Sequence, residues 1–206
     1  MNIEIIKPKE IEKRSFEIIS EFLGDRTFPP LQEPVVKRVI HTTADFEYAD
    51  QLYFSEDVVE RLLEALRNGA DIVTDTQMAR AGISKKTLER FGGKARCFIS
   101  DEDVAQEATR RGVTRAVVSM EKACSLPGHP IFAIGNAPTA LLAIKELYES
   151  GRLTPAGVIG VPVGFVNVVE SKEEMIETDL PCIIARGRKG GSNVAAAICN
   201  ALLYQL

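Results

Sequence analysis

Tryptophan is absent from these 206 residues, histidine occurs twice and cysteine four times. Neither H-E-x-x-H, C-x-x-C, clustered Cys/His nor EF-hand spacing is present, so a protein-held metal is not expected. Cys97, Cys124, Cys182 and Cys199 are scattered, and Cys97 and Cys182 fall inside apolar runs. That pattern fits reduced core thiols better than disulfides. An excess of positive charge is missing too: the formal net charge is −4, which argues against a general nucleic-acid binder. No apolar stretch approaches membrane-spanning length, and the opening Met1–Lys7 lacks the basic-then-apolar layout of a signal peptide. A cytoplasmic protein without membrane or nucleic-acid partners is expected. Three motifs are also absent: Gly-x-Ser-x-Gly, the Walker pattern and G-x-G-x-x-G. Hydrolytic covalent catalysis and nucleotide binding therefore have no support.

What is present is enough apolar sequence for one packed domain, with 45% hydrophobic and 26% charged residues. Apolar runs at Ile72-Val73, Ala95–Ile99, Ile131–Ile134, Val158–Val161 and Cys182–Ala185 read as strands. Helical segments lie between them. Ser55 is placed to cap residues 56–67, Asp101 to cap 102–111 before Gly112, and Pro138 opens a helix that closes at Gly151. Repeated β-α order predicts a three-layer α/β/α fold with a mostly parallel sheet, its ligand at the carboxyl ends of the strands. Extra N-terminal helices precede it. Residues 10–23 put Ile11, Phe16, Ile19 and Phe22 near one face, and Pro34 opens a second helix carrying Val35, Val36, Val39 and Ile40. With no repeat or linker, residues 1–206 read as a single domain.

Arg186-Gly187-Arg188-Lys189-Gly190-Gly191-Ser192-Asn193 packs three cations and three glycines between the last apolar run and an alanine-rich helix at 195–203. Glycines permit close backbone approach, a helix start presents free N–H groups, and guanidinium groups pair with carboxylates or phosphates. The loop reads as an anion cradle, or else as a solvated basic connection. His129, in Pro127-Gly128-His129-Pro130, reads as a loop-shaping residue. For His41, late in the second helix, two readings stand: a general acid favoured by the helix dipole, or a cap for exposed carbonyls. Asp75, Asp101 and Asp103 read as turn and cap residues. No protein-held metal and no cofactor are expected, which suits an isomerase or a binding protein.

Several stretches together resemble the precorrin-8X methylmutase family: Arg14-Ser15-Phe16; Arg38-Val39-Ile40-His41 with Asp45; Asp75 with Met78 and Gly82-Ile83; Thr114-Arg115; Ile134 to Ala140 (IGNAPTA); Gly160 to Phe165 (GVPVGF); and Arg186 to Ser192. Thr76 and Ala79 depart from the valines of that family's pattern. The resemblance runs nearly end to end. It implies an isomerase of cobalamin biosynthesis that moves a methyl group from C11 to C12 of a corrinoid ring, with no external methyl donor. It also implies that His41 donates or accepts the proton, that Ser15 lies at the substrate, and that the unit is a homodimer with clefts near the subunit interface. A ring bearing acetate and propionate groups is a polycarboxylate corrinoid substrate of the kind the cradle requires. Arg115, Arg186, Arg188 and Lys189 are the candidate carboxylate anchors. Gly135, Asn136 and residues 162–165 are the candidate wall against the ring. A non-catalytic tetrapyrrole carrier and a structural dimerisation module are the competing readings.

Overall fold

The computed structural model describes residues 6–206, so most of the opening segment lies outside the described residues. Six strands form one sheet: β1 (Leu52–Phe54), β2 (Ile72–Thr74), β3 (Ala95–Arg96), β4 (Ile131–Ile134), β5 (Gly157–Gly160) and β6 (Cys182–Ala185). Their order is β1-β6-β5-β4-β2-β3. All pairings are parallel except β1 with β6, where Tyr53 lies opposite Ile184. Alternate side chains go to opposite faces, as the two-residue strand period requires. Ile72, Ile131, Ala133, Ile159 and Ile183 enter one apolar layer, while Val73, Phe132, Ile134, Val158 and Ile184 enter the other.

The first layer is closed by α1 (Ile11–Leu23), α2 (Glu33–Thr43), α4 (Val58–Arg67), α5 (Gln77–Gly82) and α11 (Ser192–Leu203). Against the other face pack α8 (Arg115–Ala123), α9 (Pro138–Glu149) and α10 (Val168–Ile176), with α7 (Glu102–Arg111) resting on α8. Two short helices, α3 (Tyr48–Gln51) and α6 (Lys85–Arg90), complete the set. This is the expected three-layer α/β/α arrangement, with the N-terminal helices folded onto the sheet's first face. α2 packs along α11, burying Val35, Val36, Val39 and Ile40.

Local readings needed correction. Ser55 caps no helix. Its hydroxyl accepts the Cys182 N–H (2.9 Å) and prolongs the β1–β6 pairing, and α4 begins only after Asp57, which adopts φ 54°. Asp101 makes no side-chain cap either, because Lys122 claims its carboxylate along with that of Asp103. Strand β3 stops at Arg96, short of the expected Ile99. On α1, Ile19 and Leu23 turn inward, whereas Ile11, Ile18 and Phe22 face out. The expected single apolar face is therefore two faces, one of them uncovered. All four cysteines are free thiols, and burial pushes Cys182 up to about 11 and Cys199 up to about 12.

Candidate functional site

Sheet order fixes where a ligand should sit. From β2 the chain moves outward to β3, then returns across to β4 and continues through β5 to β6, so the direction reverses between β2 and β4. Asp75, just beyond β2, spans that reversal. It is 2% exposed, and its carboxylate accepts the N–H groups of Gly135 (2.9 Å), Asn136 (2.8 Å) and Ala137 (2.7 Å), the donors left open before α9. Burial pushes its pKa above the usual carboxylate value, against the pull of those donors. The cap role expected of Asp75 is thus performed for a helix sixty residues away in the chain.

The same end of the sheet carries the cationic loop, and the structure holds that loop from several sides. Lys189 bridges to Asp45 (2.5 Å) and Glu47 (2.9 Å), in the stretch that follows α2. The ion pair draws the Asp45 pKa down and that of Lys189 up. Arg188 donates to the Phe165 carbonyl (2.9 Å), and the Arg186 guanidinium lies 5.2 Å from the Tyr53 ring centre and 3.6 Å from Glu173. Gly190 sits so close to the end of β5 that a β-carbon there would meet the Val161 carbonyl at 2.1 Å. At the helix entry, the Ser192 hydroxyl bonds that of Thr76 (2.7 Å), and Thr76 also accepts the Ala79 N–H to start α5. A threonine where the family resemblance calls for valine is therefore a hydrogen-bonding element here.

The remaining expected residues distribute unevenly around this loop. His41 is exposed in the last turn of α2, four residues before Asp45, with its ring 5.2 Å from that of Phe16. Ser15, next to Phe16 on α1, donates to the Ile11 carbonyl (2.9 Å). Arg115 is exposed at the first turn of α8, whose Thr114 meets Thr139 of α9 (2.9 Å). Gly135 is buried, its N–H is taken by Asp75, and a β-carbon there would lie 2.7 Å from the Ser192 Cα. Its glycine is thus required by packing against α11, while the Asn136 side chain remains exposed beside it.

Two further contributors stand here, of which the sequence reading places only Phe165, as part of the wall at 162–165. Apolar side chains stand in the open at this end of the sheet: Met78 is 71% exposed, Phe165 83% and Val166 78%. Cations beside uncovered apolar groups suit a ligand with both an anionic rim and an apolar body. The second is Lys172 of α10, whose buried ammonium donates to the carbonyls of Gly187 (2.8 Å) and Lys189 (2.9 Å) inside the loop. A cleft of about 790 Å³ lies at the opposite, amino-terminal end of the strands, among Arg61, Lys94, His129 and Asp179. None of the site residues described above lines it. His129 there bonds the Thr154 carbonyl (2.8 Å), in the loop-shaping role expected of it.

Among the described residues no group of three His, Cys, Asp or Glu side chains is arranged to hold a metal, and no helix is long and apolar enough to cross a membrane. The geometry defines a class: an α/β fold whose sheet gathers cations and uncovered apolar groups at its carboxyl edge, near one exposed histidine.

The particular family follows from comparison. The precorrin-8X methylmutase family model matches residues 10–205. The cobalt-precorrin-8 methylmutase of Salmonella typhimurium is 48% identical, with 98% of this chain and 97% of that one covered. Its counterpart in Priestia megaterium is 46% identical over 96% of this chain and 88% of that one. A precorrin-8X methylmutase from Pseudomonas aeruginosa is 36% identical, with 93% of each chain covered. Among solved structures, the precorrin-8X methylmutase of Thermus thermophilus superposes with a TM-score of 0.87 at 39% identity, covering 95% of this chain and 96% of that one. The chain belongs to the precorrin-8X methylmutase family and is an isomerase of cobalamin biosynthesis.

Proposed function

We propose that the protein binds cobalt-precorrin-8 or its metal-free counterpart through the ring's carboxylates and shifts one methyl group from C11 to C12, giving cobyrinic or hydrogenobyrinic acid. The observation that carries this reading is the Lys189–Asp45 ion pair, which ties the cationic loop to the chain segment just beyond His41. That contact joins the loop bearing the carboxylate anchors to the segment that follows the proton donor. Arg115, Arg186 and Arg188 hold the rim of the ring, and Phe165, Val166 and Met78 cover its apolar body. A methyl shift around a conjugated ring is unimolecular, so the protein accelerates it by fixing one reactive ring shape and by managing a proton as electron density moves. His41 protonates a ring nitrogen, and Phe16 orients its imidazole, with Ser15 next to it against the substrate. The relatives that carry the cobalt-precorrin-8 name include those at 48% and 46% identity, which favours the cobalt-bearing ring as substrate.

The test is incubation of the purified protein with the precursor ring while absorbance is followed for the product chromophore. His41→Ala should lower turnover by about 100- to 10,000-fold with little change in corrinoid affinity. Near-normal turnover in that variant would remove His41 from the mechanism, and binding without conversion by the wild type would make the protein a carrier.

The working unit is a homodimer in the cytoplasm, where the four free thiols would stay reduced. The uncovered α1 face supports the dimer: Ile11 is 51% exposed and Phe22 73%, a strip that a two-fold partner would bury. Mixing inactive His41→Ala with inactive Arg186→Ala should restore one intact site per mixed dimer if these two residues meet across subunits. Exchange of subunits without recovery refutes that pairing, and an active monomer in sedimentation refutes the dimer.

A further inference from the structure

Lys172 is a lysine with 0% exposure, carried by α10 on the sheet face opposite α1 and α2, and no step above uses it. A buried ammonium is costly unless its protons find acceptors. Here the acceptors are two alternate carbonyls of the cationic loop, Gly187 at 2.8 Å and Lys189 at 2.9 Å. The intervening Arg188 carbonyl accepts the Gly164 N–H instead (3.2 Å), and the Gly191 N–H returns to the Val161 carbonyl (2.8 Å). In a trans peptide the N–H points opposite to the preceding C=O. With the Gly187 and Lys189 carbonyls aimed at Lys172, the N–H groups of Arg188 and Gly190 are turned away from it, while the side chains between them diverge, Arg188 to the Phe165 carbonyl and Lys189 to Asp45.

We infer that Lys172 is the positioning residue of the anion cradle: it fixes the 187–190 peptides in the orientation that receives a substrate carboxylate, without touching the substrate itself. Burial draws its pKa down to about 8, with Glu173 opposing, while the two carbonyl acceptors favour the charged, donating form. An apolar side chain of similar length would fill the same space and leave both carbonyls without their donor.

This inference rests on the carboxylate-binding reading, so its test has one arm that needs no ligand. Amide hydrogen exchange of residues 186–191 in ligand-free Lys172→Met should run faster than in the wild type, while the β4 and β5 amides keep their protection. Unchanged loop exchange in a folded variant overturns the inference. In the second arm, Lys172→Met should raise KM for the corrinoid substrate and the Kd of cobyrinic acid by roughly 10- to 100-fold, the scale of losing charge-assisted hydrogen bonds, with any fall in kcat smaller than the rise in KM. A fall in kcat at unchanged KM also overturns it. Failure of the wild type to bind cobyrinic acid refutes the substrate reading and leaves the exchange arm to decide on Lys172. If the variant does not fold, the wild type supplies the measurement: cobyrinic acid should protect α10 and the 186–191 loop together, and protection of the loop with α10 unchanged refutes the clamp.

Discussion

Replacing Asp75 tests whether the reversal point of the sheet is held as the geometry indicates. Its carboxylate receives three backbone N–H groups whose surroundings differ: Gly135 is buried, Ala137 half-buried and Asn136 exposed. In Asp75→Ala, water can reach the Asn136 donor, so the main penalty falls on the Gly135 N–H, with a partial one on Ala137. At about 1–3 kcal/mol for a stranded buried donor, plus the lost charge-assisted bonds, the total comes to about 3–5 kcal/mol. Asp75→Asn keeps the shape but supplies one acceptor oxygen, and its NH₂ group faces a donor. Relief from burying a charge offsets part of that conflict, so the expected loss is about 2–3 kcal/mol. For a chain of this size such a loss lowers the melting temperature by roughly 5–10 °C, readable by circular dichroism. The order should be wild type, then Asn, then Ala. A melting temperature for Asp75→Asn within a degree of wild type would refute the claim that this carboxylate joins β2 to β4.

Gly190→Ala should push the loop off the end of β5, because its β-carbon would stand 2.1 Å from the Val161 carbonyl and 2.8 Å from that of Pro162; a titration with cobyrinic acid should show clearly weaker binding, and wild-type affinity would refute the contact. The Asp45–Lys189 pair gives a pH prediction. A carboxylate with a lowered folded pKa contributes stability that is present above its ordinary value of 3.8 and lost as pH falls through the folded value. Lys189→Met should therefore lose this part of the wild-type acid dependence below pH 3.8. Since Lys189 is 40% exposed, its effect at neutral pH should be small and weakened by salt. Identical acid limbs in urea melts of the two proteins would dismiss the pair.

The parallel core was legible because buried parallel strands leave continuous apolar runs, as in Ile131–Ile134 and Cys182–Ala185. Helices with strong punctuation were equally plain: Pro138 opens α9, and Gly112 closes α7 at φ 67°. Strand β1 was not, since Leu52–Phe54 is three residues long and pairs only through its antiparallel contact with β6. Ser55 imitated a helix cap because the same hydroxyl that can cap a helix can extend a sheet edge, and local sequence does not state which donor will arrive. Asp75 could be read as a cap, but its donors lie at 135–137, a separation local pattern cannot span. Lys172 was hidden by its neighbours, for Glu170-Ser171-Lys172-Glu173-Glu174 reads as a solvated run. A signal did exist: Val168, Ser171, Lys172 and Met175 are the buried positions of α10, at helical spacing, so the lysine falls on the inward stripe.

The cationic loop shows why such long-range groups matter to the chemistry. Its cations are borne by a segment whose backbone is held by the β5 end at Gly191, by the β5–α10 connection at Gly164 and by α10 at Lys172, and whose side chains reach Asp45 after α2 and Phe165 before α10. A loop tied from so many elements loses little freedom when an anion arrives, so less of the binding energy goes into ordering it. That rigidity has a direct use in a reaction with no second substrate. On the proposed reading, in which the loop anchors the ring and His41 supplies the proton, a displacement of the anchors would displace the reacting carbons relative to His41. The anchors must then be as fixed as the core. In this chain they are fastened to both faces of the sheet: Asp45 follows α2 on one face, and Lys172 holds the loop from α10 on the other.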